Sequence, residues 1–287
     1  MQNTQDMIQR LNLSGSRLSK SHRRIAEYIL QHYDKAVFMT AAKLGEMVNV
    51  SESTVVRFAV ALGYEGYPEL QQALQELVRH RLTATQRFEM SSDISQEEVL
   101  STVLKADMQN IRSTIDGIDN AAFLRAVQVI SGARRIYILG LRSAAPLAQF
   151  AGYYLHYIFD DVRVVAAGST DVFEAISRIE ASDVLLGISF PRYSSRTIEA
   201  MSFAHSRHAQ VIGLTDGPMS PLHEVADICL SMRTDMASFV DSMAAPMSVI
   251  NALIVALGIQ NREALNARFK QLEEVWDAYS VYMNEGK

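Results

Sequence analysis

Five short apolar runs rich in β-branched residues punctuate the second half of the sequence: Arg135 to Leu141, Val162 to Ala167, Asp183 to Phe190, Gln210 to Thr215 and Ala226 to Met232. Helical stretches separate them near 144–159, 171–180 and 196–207, with a brief one near 221–225. Strands alternating with helices are the pattern of βαβ units, so this region is expected to form a five-stranded, mainly parallel, doubly wound α/β sheet.

Ligands of such sheets bind at the carboxyl ends of the strands, where each loop enters a helix N-terminus whose free amides favour an anion. The first of these ends reads Gly140-Leu141-Arg142-Ser143, the second Gly168-Ser169-Thr170, and the third runs from Ser189 to Thr197. Any one of these hydroxyls is explained by helix capping alone, but three consecutive loops carrying them, with Arg142, Arg192 and Arg196 as charge partners, point to a phosphate or carboxylate. The candidate ligand-binding residues are Arg142, Ser143, Ser189, Arg192, Tyr193, Ser194, Ser195 and Thr197. Gly140 lacks the later glycines of a dinucleotide fingerprint, so no nucleotide cofactor is expected. His223-Glu224 lacks the second histidine of a zinc helix, Asp227 standing nearest its place, and no metal is expected. Glu174, His223 and Glu224 are the acid–base candidates; each is explained as a solvated helix residue, so no catalytic residue is expected.

The first eighty residues have a different pattern. Ile25, Tyr28 and Ile29 recur at helical spacing after Ser19, a plausible N-cap. A short helix follows Thr40, which caps it, with Ala41, Ala42, Leu44 and Val48 inward. Asn49-Val50-Ser51 then leads to a third helix, Glu52 to Leu62, capped by Ser51, striped by Val55, Phe58, Ala59 and Leu62, and closed by Gly63. Two short helices joined by a tight turn, the second opening in small hydroxyl residues with an arginine one turn on, are what a DNA-reading helix-turn-helix requires. Ser51, Ser53, Thr54 and Arg57 are the candidate DNA contacts, with Lys20, Arg24 and Lys43 in support. Residues 7–26 hold Arg10, Arg17, Lys20, Arg23 and Arg24 with no acid among them, although a solvated helix face explains a charge run equally well.

At 287 residues the chain suits two domains, and we expect a helix-turn-helix domain at 1–82, a linker at 83–96 and the α/β domain at 97–287. The net charge of −5 excludes a protein that coats nucleic acid indiscriminately, and the acidity lies after residue 80. The single cysteine, Cys229, falls in an apolar run, where a buried strand position explains it better than nucleophilic chemistry does. With no run of eighteen apolar residues and a polar N-terminus, neither a membrane span nor a signal peptide is expected, and a reducing cytoplasm fits. Met243, Ala244, Met247, Ile250, Leu253, Ile254 and Leu257 are apolar around too much of a helix for an ordinary surface, which implies burial or a subunit interface. Trp276 and Tyr279 are placed on a last helix.

The stretch from Ala41 to Phe58, followed by Leu62-Gly63-Tyr64-Glu65-Gly66-Tyr67-Pro68-Glu69-Leu70, closely resembles the helix-turn-helix of the RpiR family of bacterial regulators, departing from it where His22 replaces the capping-box glutamate after Ser19. Residues 108–260 resemble the sugar isomerase (SIS) domain: Gly140 to Ser143 matches its first loop, and Ile188-Ser189-Phe190 with Ser194 to Ala200 matches its phosphate loop. Ala209 to Asp216, Ser220-Pro221-Leu222 and Val225-Ala226-Asp227 continue the likeness. Here Pro191-Arg192-Tyr193 is inserted into the phosphate loop and Ser195 stands where glycine is usual. The resemblance implies a transcriptional regulator that binds operator DNA, self-associates as a dimer or tetramer, and senses a sugar-phosphate or acidic sugar-like effector. A sugar-phosphate isomerase with an accessory helical domain is the alternative.

Overall fold

The computed structural model describes residues 19–37, 39–78, 83–89, 95–166, 171–236 and 239–283. The chain divides into two compact units, Met1–Glu97 and Glu98–Lys287.

In the first unit α1 (Lys20–Gln31), α2 (Tyr33–Ala36), α3 (Ala41–Val48), α4 (Glu52–Ala61) and α5 (Tyr67–Val78) pack around Ile25, Ile29, Leu44, Val55, Phe58, Leu70 and Leu74, all buried. Full burial of each such side chain contributes about 1.5–3 kcal/mol. The Ser19 hydroxyl accepts from the His22 amide and the Thr40 hydroxyl from the Lys43 amide, so both caps stand as the sequence implies. Gly63, at φ 90°, ends α4 in a left-handed turn in which the Gly63 amide donates to Val60 and the Tyr64 amide to Ala59. The segment expected as a linker contains a helix, α6 (Ala84–Glu89), on which Arg87 is buried. Its Ser91-Ser92-Asp93 lies outside the described residues, as do Arg10 and Arg17.

The second unit opens with α7 (Val99–Gly117) and α8 (Asn120–Ser131), then alternates strand and helix: β1 (Ile136–Gly140), α9 (Ala145–Ile158), β2 (Val162–Val165), α10 (Val172–Ile176), β3 (Val184–Ile188), α11 (Ser195–Ser206), β4 (Gln210–Thr215), β5 (Ile228–Ser231), α12 (Ala244–Gln260) and α13 (Arg262–Ala278). The sheet order is β2-β1-β3-β4-β5 with every pair parallel. Ile136 and Ile138 point into a core shared with α8, α9 and α12, while Tyr137 and Leu139 point into one shared with α10 and α11. Both faces are therefore covered, which is why the strands read as unbroken apolar runs. Gly152 and Gly187 let helices settle on the sheet: a Cβ at either would sit 2.1 Å from Val164 or 2.4 Å from Met201.

Burial is the larger part of what α12 does, since Ala245, Val249, Ile250, Leu253 and Leu257 are core residues; Val255 and Ile259 are exposed. Trp276 lies on α13, and Tyr279 is its exposed C-cap. Cys229 sits on β5 against Gly213, where burial pushes its thiol up to about 11, away from nucleophilic use. Among the described residues no single helix is long and apolar enough to cross a membrane; α12 and α13 reach that length and apolar content only together, and they are bent by 98°.

Candidate functional site

The turn between α3 and α4 is closed by two residues. Asn49 takes the left-handed conformation (φ 56°, ψ 53°), which asparagine tolerates, and Gly45 lets the returning chain approach. A Cβ on Gly45 would stand 2.8 Å from the Val50 carbonyl oxygen, and the Val50 amide donates to the Gly45 carbonyl at 2.9 Å.

Ser51 occupies the N-cap position of α4, but its hydroxyl caps no amide, contrary to the sequence expectation. It bonds instead to the Ser53 hydroxyl at 2.9 Å and the Thr54 hydroxyl at 2.8 Å. Arg57 Nε donates to the Ser53 carbonyl at 3.2 Å, and Nη2 stands 3.5 Å from the Thr54 hydroxyl. The structure thus gathers Ser51, Ser53, Thr54 and Arg57 into one connected cluster at the first turn of α4, with all but the half-buried Thr54 exposed. Lys20 is exposed, and Lys43 is exposed and paired with Glu46 at 2.9 Å. Arg24 differs from its expected role. Its guanidinium donates to the carbonyls of Val48 and Asn49, tying α1 to the turn, because the last carbonyls of a helix need donors. His22 packs edge-on to Phe58, ring centroids 5.7 Å apart, and burial followed by the Arg57 charge holds its imidazole below the usual value.

Charge separates the two ends of the sheet. At the amino ends of the strands Arg134 forms a two-point pair with the buried Asp183, with both distances 2.9 Å, and Arg135 and Arg163 share Asp161. At the carboxyl ends of β1 and β3 stand Arg142 and Arg192, exposed, their guanidinium groups without a hydrogen-bond or ion-pair partner among the described residues. These strands are neighbours in the middle of the sheet, and the chain runs outward from them in opposite directions, so their carboxyl ends open the crevice where ligands of this topology bind. Both arginines hold left-handed backbone, at φ 56° and 66°. Each such non-glycine conformation costs on the order of 1–3 kcal/mol, a strain that concentrates at functional sites.

Gly140 shapes the first loop: a Cβ there would lie 2.6 Å from the Ala144 carbonyl oxygen, so only glycine lets the strand pass under the 3-10 turn Arg142–Ala144. Ser143 is exposed on that turn. In the β3 loop the buried Ser189 hydroxyl accepts from the Ser194 amide at 3.3 Å, and the Ser194 hydroxyl caps α11 through the Thr197 amide. Ser195 is exposed. The Thr197 hydroxyl, in the first turn of α11, is buried with no hydrogen-bond partner among the described residues. Tyr193 donates to Asp216 Oδ1 at 2.7 Å, pinning the inserted Pro191-Arg192-Tyr193 segment to the end of β4. Asp216 was missed as a site residue; a Thr-Asp step directly after an apolar strand was the available signal. Arg196, expected as a charge partner, is instead held by Asp171 at 3.3 Å and lies over the Phe173 ring. Of the acid–base candidates, Glu174 is exposed on α10 and His223 is held below its usual value by burial, Asp216 opposing. Gly168, Ser169 and Thr170 lie outside the described residues.

Two family models match the chain: a helix-turn-helix domain of the rpiR family over residues 5–80 and a SIS domain over residues 129–256. The HTH-type transcriptional regulator HexR of Escherichia coli K12 is 26% identical over 275 residues, spanning 94% of this chain and 93% of that protein. The sugar isomerase domain of the RpiR transcription factor from Sphaerobacter thermophilus superposes with a TM-score of 0.59 at 23% identity, covering 62% of this chain and 99% of that one. The Vibrio vulnificus NanR protein complexed with ManNAc-6P gives a TM-score of 0.57 at 22% identity, covering 94% and 98%. At these identities the two structures attest the fold.

Proposed function

The chain belongs to the RpiR family, a helix-turn-helix domain joined to a SIS domain, and from that premise we propose that it is a transcriptional regulator controlled by a small sugar-phosphate or acidic sugar-like effector. In this reading α4 enters the major groove of operator DNA. Ser53, Thr54 and Arg57 read base edges, while Lys20 and Lys43 contact phosphates. Two copies bind two half-sites, and the cytoplasm is where the protein works.

The effector lies at the carboxyl ends of β1 and β3. The observation that carries this assignment is the pair of strained arginines, Arg142 and Arg192, uncompensated among the described residues, at the two strand ends that open the crevice. A phosphate or carboxylate supplies the charge they lack, the first turn of α11 supplies amide donors, and the Thr197 hydroxyl gains a partner. Tyr193 and Asp216 lie beside the anion position and offer a hydroxyl and a carboxylate to the rest of the ligand. The effector acts by binding one arrangement of the DNA-binding pair more tightly than another, which shifts operator affinity by the same free energy.

The test is a selection of genomic fragments bound by the purified protein at fixed, near-physiological salt. An enriched inverted repeat whose occupancy changes with a sugar phosphate supports the regulator. No enriched sequence, together with turnover of sugar phosphates by the same preparation, refutes it in favour of an isomerase.

A further inference from the structure

Helix α4 exposes two valines that its fold does not use. Val55, Phe58 and Ala59 fill the core of the first unit, and the side of the helix away from that core carries Ser53, Val56, Arg57 and Val60. At 3.6 residues per turn these four fall within about 100° of one another, so they form one face. Its polar members are the hydroxyl and the guanidinium already described. Its apolar members are Val56, 37% exposed, and Val60, 54% exposed.

Neither valine serves the helix that carries it. A branched β-carbon loses rotamer freedom against the preceding turn, which places valine below alanine, lysine or glutamate as a helix former, and an exposed isopropyl group gains nothing from burial. Positions 56 and 60 are one turn apart, so the two side chains adjoin in a single apolar strip along the face that holds Ser53 and Arg57. The same stiffness suits a contact, because a side chain with one preferred rotamer loses little freedom when it is covered.

What covers the strip follows from its neighbours. Ser53 stands one turn before Val56 and Arg57 directly after it, so a surface that brings base edges to the hydroxyl and the guanidinium brings them to Val56 too. The base edges in a major groove present hydrogen-bond donors and acceptors and a single kind of apolar group, the C5-methyl of thymine. A valine there meets either polar atoms that it cannot bond or that methyl. Val56 is nearer than Val60 to the helix end that approaches the bases, Val60 standing about 6 Å further along the axis. We infer that Val56 is a specificity residue of α4, reading one thymine in each half-site through its C5-methyl group. The inference rests on the reading of α4 as the groove helix and adds a base to what that helix recognises.

The experiment uses the full-length chain and the duplex that the genomic selection enriches, with each symmetry-related pair of thymines replaced in turn by deoxyuridine, which pairs identically and lacks only the methyl. At one such pair the affinity of the intact chain, read by fluorescence anisotropy at fixed salt, is expected to fall by about fourfold for each methyl removed, and so by about 15-fold for the pair. Val56→Ala keeps α4, since alanine is the better helix former and position 56 lies outside the core. It is expected to bind the unmodified duplex more weakly and to lose most of the discrimination between thymine and deoxyuridine at that pair alone. An intact chain indifferent to every methyl, or a Val56→Ala protein that keeps the full discrimination at every pair, overturns the inference and leaves a sequence-selective regulator standing. A chain that enriches no duplex refutes the reading of α4 and the inference together.

Discussion

Replacing Arg24 with alanine separates two roles that a basic residue beside a helix-turn-helix can play. Its Nη2 stands 2.7 Å from the Val48 carbonyl oxygen and also reaches that of Asn49, the two carbonyls left without intrahelical donors where α3 turns left-handed into α4. A hydrogen bond from a charged donor contributes about 1.5–3 kcal/mol net, but Arg24 is exposed and the freed carbonyls can turn to water, so the expected loss is at the low end, about 1–2 kcal/mol. That corresponds to roughly a 5- to 30-fold loss of protection in amide hydrogen exchange over residues 41–58, read by mass spectrometry. Operator affinity should fall with it, and the salt dependence of binding should stay as it was, since no phosphate contact is removed. The opposite pattern, with protection unchanged and the slope of log K against log salt reduced by about 0.9, would show that Arg24 meets a phosphate and refute its role as a brace.

Three further outcomes are expected. Arg57→Ala should weaken specific operator binding by about 1–3 kcal/mol and relax the preference at one base position, as measured by titration against a substituted operator series; equal affinity for all of them would remove Arg57 from base readout. Thr197→Val takes away a buried hydroxyl that has no partner among the described residues, so thermal stability should hold or rise by up to about 1 kcal/mol while effector affinity falls in calorimetry; a large loss of stability would mean the hydroxyl is satisfied internally. His22 is held below its ordinary value of 6.5, so the unfolded state binds its proton more readily; stability of the first unit is full above that pH and declines as pH falls through the window below it. His22→Gln should flatten that decline in pH-dependent denaturation, and an unchanged profile would assign the effect elsewhere.

Much of this protein is legible along the chain because local rules specify it. Gln210–Thr215 is a strand with the bounds its apolar run implies, whereas β3 and β5 end before their runs do, because Phe190 and Met232 stay buried beyond the last strand residue. Ser19 and Thr40 cap as their spacing implies, since a cap is a contact across three residues. The hydroxyls of Ser51, Ser53 and Thr54 are grouped by one helical turn, and the three strand-end loops can be found by counting strands.

What needed the tertiary structure is who meets whom across the chain. Arg24 and Arg57 are both arginines beside a turn, yet one is consumed by carbonyls 24 and 25 residues away and the other stays with the hydroxyl cluster at the start of α4. Arg142, Arg192 and Arg196 read alike, but Asp171 takes Arg196, leaving two guanidinium groups at the centre of the sheet with no partner among the described residues. Tyr193 finds Asp216 and α7 turns its polar side inward only because β4 and the segment after β5 are brought beside them. Periodicity along a sequence fixes which residues share a face, whereas the charge and hydrogen-bond partners of that face come from elements distant in the chain, and those partners decide whether an arginine is a brace or a binding group.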